Sequence, residues 1–122
     1  MIGSLVFLHS VGARALVAFA VVLGAWGAYS YFRHARVSGG FRSSYLIMAG
    51  LSVVQGLFGL GVFVTGQRPH ELLHIVYGIF AVLFLPGAYL WAHSGSPRRE
   101  AVILAGAAWI VTIAFLRGIS TG

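Results

Sequence analysis

Apolar residues fall in four long runs, about 4–32, 45–64, 71–92 and 101–116, with polar residues gathered between them. Each run is near the ~20 residues that carry a helix across roughly 30 Å of hydrocarbon. The pattern predicts an all-α protein, one domain over 1–122, built as a four-transmembrane-helix bundle. Short connections make successive helices antiparallel neighbours, an up-down-up-down arrangement. Gly50, Gly56, Gly59 and Gly61 crowd the second run, as expected where helices pack closely.

Composition strengthens this reading. Of 122 residues, 59% are hydrophobic and only 8% charged, a balance that belongs in a membrane and not around a soluble core. No positive residue precedes the first run, which is far longer than a signal-peptide core of about 7–15 residues, so it is expected to persist as a helix. Cysteine is absent. That removes disulfides, thiolate metal sites, iron–sulfur clusters and covalent haem attachment, and leaves His, Glu, Met and backbone as candidate ligands.

The net charge of +6 comes from eight arginines against two glutamates. Arg33, Arg36 and Arg42 lie between the first two runs and Arg98 and Arg99 between the last two, while the second connection has Arg68 and the C-terminal end Arg117. Arginines so placed orient helices in a bilayer, so a nucleic-acid partner is not expected. The first and third connections are assigned to the cytoplasmic side, with both termini on the non-cytoplasmic side of the cell membrane. Tyr29, Tyr31, Tyr89 and Trp91 fall where aromatic belts form. Gly27-Ala28-Tyr29 is echoed by Gly87-Ala88-Tyr89, a weak internal repeat.

The candidate chemistry lies in the histidines. His34 and His93 sit at the cytoplasmic ends and read as solvated interface residues. His9, His70 and His74 stand at or just inside the outer ends of apolar helices, where an ionisable side chain is a functional-site hypothesis. Threading makes the first and third helices parallel, so His9 faces the His70/His74 pair at similar depth. Two facing imidazoles in a bundle core are what a bis-histidine b-type haem requires. His9 lies 20 residues before Tyr29, His70 19 before Tyr89 and His74 15 before it, so depth alone pairs His9 with His70. Gly12 and Gly78 lie one turn deeper on the faces of His9 and His74, where they would make room for a flat group. Arg14 is placed to meet haem propionates or Glu71, and Arg68 with Gln67 in the outer turn is placed to reach propionates.

His70-Glu71-Leu72-Leu73-His74 also spells H-E-x-x-H, the zinc-hydrolase pattern of two ligands and a general base. The chain has no aspartate to complete such a site within a membrane.

The stretch from Val54-Gln55-Gly56 through Gly59, Gly61 and Gly66 to Pro69 and Leu73-His74, with His9, Gly12 and Ala13 on the first helix, resembles one half of the haem A synthase family. The resemblance covers roughly 8–83. It implies a four-helix haem-binding bundle with His9 and His74 as axial iron ligands and Gln55 at the pocket. In that family a glutamate shortly before the first-helix histidine serves oxidation of a haem methyl group. This chain has Leu5, Val6, Phe7 and Leu8 there.

The expectation is one haem b per chain, serving electron transfer or haem handling beside a respiratory complex. Membrane lipid, a quinone, complex subunits or a second copy of the chain are the partners. The alternatives are a half-size haem-modifying enzyme of the haem A synthase kind and a cofactor-free accessory subunit.

Overall fold

A computed structural model describes residues 2–66 and 73–121. They form four helices, α1 (Ile2–His34), α2 (Gly39–Val64), α3 (Leu73–His93) and α4 (Pro97–Thr121), each long and apolar enough to span a membrane, as in a multi-pass membrane protein.

The helices run past the apolar stretches that predict them. α2 begins at Gly39 instead of about 45, because Ser38 is extended and its side chain accepts the Phe41 N–H at 3.1 Å. α4 begins at Pro97 instead of about 101, with the Ser96 hydroxyl accepting the Arg99 N–H at 3.1 Å. Both serines satisfy a donor that the first turn leaves without an intrahelical partner, and Pro97 at the first position has no N–H to satisfy. Arg42 and the Arg98/Arg99 pair are therefore helical, not loop, residues. Hydropathy stops at such charges, whereas the backbone needs only a cap to continue. α2 ends at Thr65 and Gly66, where φ of +101° turns the chain out of the helix at a residue without a Cβ penalty.

α1 packs along α2 and α4, α3 packs closely along α4, and α2 and α3 are the loosest neighbours. α1 and α3 thus occupy opposite corners. Alanines on α4 allow the tight seams: a Cβ added at Gly27 would stand 2.8 Å from that of Ala105, and one at Gly24 only 2.7 Å from the Trp109 ring.

Large buried side chains collect where α1 ends and α2 begins. Leu23, Phe41, Tyr45, Met48, Leu85 and Leu104 are almost wholly buried. The Tyr45 hydroxyl donates to the Leu85 carbonyl at 2.7 Å, as a buried hydroxyl requires. At the same end Arg42 holds Glu100 through two bonds of 2.8 and 2.7 Å. Toward the start of α1 and of α3 this core runs out, and the interior is differently furnished.

Candidate functional site

His9 is carried on the second turn of α1, and His74 is the second residue of α3. Although their helices stand at opposite corners, the imidazoles meet across the bundle, ring centres 5.8 Å apart and planes 75° from parallel. Glycine makes the approach feasible: a Cβ at Gly59 would come 2.9 Å from His9 Cε1, too close for any other residue to leave the ring in place.

Each ring is held through Nδ1. His74 Nδ1 is 2.8 Å from the Gly118 carbonyl of α4. A carbonyl only accepts, so Nδ1 carries the proton and the His74 lone pair resides on Nε2. Gln55 of α2 donates from Nε2 to the His9 carbonyl, and its amide stands 3.0 Å from His9 Nδ1. The nitrogen that donates to the carbonyl also stands beside Nδ1, so Nδ1 accepts and the His9 ring proton sits on Nε2 in this arrangement.

Beside the pair lies a cavity of about 790 Å³, lined by all four helices, among them Val6, Ala13, Gly56, Ile79 and Val82. This is within the roughly 300–1,000 Å³ of small-molecule and cofactor sites. Gly78, one turn along α3 from His74, has nothing within 4 Å of a Cβ built on it, and Gly56 meets only Val82 at 3.5 Å. The space is open because these positions lack side chains. Leu60, Ile79 and Leu83 line the cavity while 58%, 56% and 68% exposed, so it opens sideways between α2 and α3, within the apolar spans.

Two imidazoles this close could share one metal, His74 through the lone pair on its Nε2 and His9 once its ring proton has left Nε2. Metal–nitrogen bonds of about 2 Å, plus roughly 1 Å from nitrogen to ring centre, would separate the ring centres by about 6 Å. The observed 5.8 Å is close to this and is also an ordinary edge-to-face separation of two rings in contact. Among the described residues no three His, Cys, Asp or Glu converge.

Of the residues singled out by sequence, His9, His74, Gly78 and Arg14 come together at the cavity. Gly12 does not make room for a ligand: a Cβ there would fall on the Gln55 side-chain oxygen, so it makes room for that amide. Gln55 correspondingly touches His9 and does not line the large cavity. His70, Arg68, Gln67 and Glu71 lie outside the described residues, so of the two H-E-x-x-H histidines only His74 is described. His34 and His93 are exposed at the far end, packed on Tyr29 and Tyr89. Sequence reasoning missed the Gly118 carbonyl, which leaves no side-chain signal. It also left Gly59 among the packing glycines, although its spacing of four from Gln55 puts both on one face of α2.

No protein-family profile, characterised protein or solved structure matches this chain.

Proposed function

We propose that the chain is an integral membrane b-type haem protein of the cell membrane, threaded up-down-up-down with both termini on the non-cytoplasmic side, and that it serves one-electron transfer. The carrying observation is the His9–His74 pair, 5.8 Å between ring centres across opposite corners of an apolar bundle. The arginines at the end where α1 meets α2 and α3 meets α4 support the orientation.

Haem b, when bound, supplies an iron centre that takes up and releases one electron. His9 and His74 are the residues that would hold the iron. Gln55 and the Gly118 carbonyl fix the planes of the two rings, and the carbonyl also fixes the His74 tautomer that leaves Nε2 free to ligate. Val6, Ala13, Ile79 and Val82 line the cavity with apolar surface that would exclude water from a bound group, and the absent side chains at Gly56 and Gly78 leave room for a planar one. The sideways opening between α2 and α3 faces the spans, so a quinone-like carrier dissolved in the bilayer fits the electron partner better than a water-soluble one. Leu5 to Leu8 provide no proton-transfer group, which favours electron transfer over haem modification.

The test is a reduced-minus-oxidised visible spectrum of the detergent-purified protein. A sharp α-band is expected in the wild type and in His70→Ala, and its loss in His9→Ala and in His74→Ala. A colourless protein that takes up no added haem would overturn the proposal.

A further inference from the structure

We infer that Arg14 binds a carboxylate of the porphyrin, which sets the acid edge of the macrocycle on the mid-span side of the histidine pair. The inference rests on the haem reading and adds to it the orientation of the group.

Arg14 stands in the apolar body of α1 and is the one described arginine that lines the cavity. Four of the other described arginines are engaged, whereas Arg33 and Arg36, exposed at the far end of α1 and away from any cavity, are not. Arg42 holds Glu100, Arg98 lies over the Tyr31 ring, Arg99 donates to the carbonyls of Trp91 and Ser94, and Arg117 lies over Tyr77. Arg14 has no hydrogen bond, ion pair or ring contact among the described residues. Arg14 is exposed on an apolar span, where a guanidinium is costly unless it reaches the interface or meets an anion, and a ligand seated in the cavity can bring that anion. A porphyrin bearing propionates supplies one, and a guanidinium matches a carboxylate with two parallel bonds.

The depth follows from the helix. Arg14 is five residues beyond His9, a rise of about 7.5 Å along α1, comparable to the reach from a porphyrin's centre to its propionates. On α1, Val6, His9, Ser10, Ala13 and Arg14 all line the same cavity. His9 and Arg14 flank this face, so a group ligated by the histidine can be met by the arginine without rearrangement of the backbone.

The experiment titrates the full-length apoprotein in detergent with haem b and with its dimethyl ester, in which both propionates are neutral, following the Soret band. Wild type is expected to prefer the acid about tenfold or more, the range for hydrogen bonds to a charged partner. Arg14→Gln should bind the ester as wild type does and lose the preference, Arg14→Lys should keep part of it, and Arg98→Gln at the opposite end should keep all of it. Unaltered ester binding also shows that the variant is folded. Equal affinity of wild type for the two forms, a preference that survives in Arg14→Gln, or an equal loss for both forms in that variant would each overturn the role of Arg14 while leaving the haem reading in place. Failure of the wild type to bind either form would overturn both.

Discussion

Gln55 reaches His9 twice, at the main-chain carbonyl and at ring Nδ1 3.0 Å away. The residue one turn further along α2, Gly59, gives the same ring the space it stands in. One face of α2 therefore fixes a side chain of α1, and that side chain faces α3.

This grip carries the first prediction. Gln55→Leu removes the contact at Nδ1 and leaves the ring its place, because the leucine occupies similar space. Loss of such an outer partner typically costs about 10–100-fold in metal affinity. Haem affinity, measured by spectral titration, should fall by that factor, while the α-band of the saturated protein persists. A variant that binds as tightly as wild type would show that the amide does not orient the ligand.

Two glycines should respond in opposite ways. At Gly78 a side chain meets open space, whereas at Gly24 a Cβ would stand 2.7 Å from the Trp109 ring. Gly78→Leu should leave the melting temperature of the apoprotein near that of wild type and abolish haem uptake by filling the cavity. Gly24→Val should lower stability by about 1–3 kcal/mol, the usual cost of overpacking, with ligation unchanged. Thermal unfolding in detergent and haem titration, applied to both variants, check the pair. Equal destabilisation of the two would show that the space beside His74 is structural.

The four helices could be read from sequence because an apolar run of that length has few other uses, but their ends could not. Ser38 and Ser96 extend α2 and α4 across polar residues that hydropathy counts as loop. Depth counting pairs His9 with His70, which lies outside the described residues, and its markers are local. It treats Tyr29 and Tyr89 as equivalent markers, yet Tyr29 is 58% exposed with its edge to His34, while Tyr89 stacks on the buried Tyr45. The structure sets His74 against His9. The same pairing is implied by the motif resemblance, which depends on spacing around Gln55 and His74 and uses no marker at the far end. The roles of Gly12 and Gln55 escaped sequence reasoning because they concern each other: the glycine accommodates the amide, and only the α1–α2 register shows it.

The clamp at the far end gives the last prediction. Glu100 retains only 12% side-chain exposure and takes two bonds from Arg42, itself 40% exposed, joining α2 to α4. Removing the arginine leaves a largely buried carboxylate without its partner, which costs more than the pair contributes when intact. Arg42→Met should therefore destabilise by about 1–3 kcal/mol, the scale set by an unsatisfied buried polar group. Arg42→Met with Glu100→Gln should recover part of this, because no charge is then stranded. Denaturation midpoints in detergent for the wild type, both single variants and the double variant close the cycle. Strict additivity of the two single effects would mean that the contact carries no coupling energy. Haem titration of the same variants should be unaffected, since the clamp and the histidine pair stand at opposite ends of the bundle.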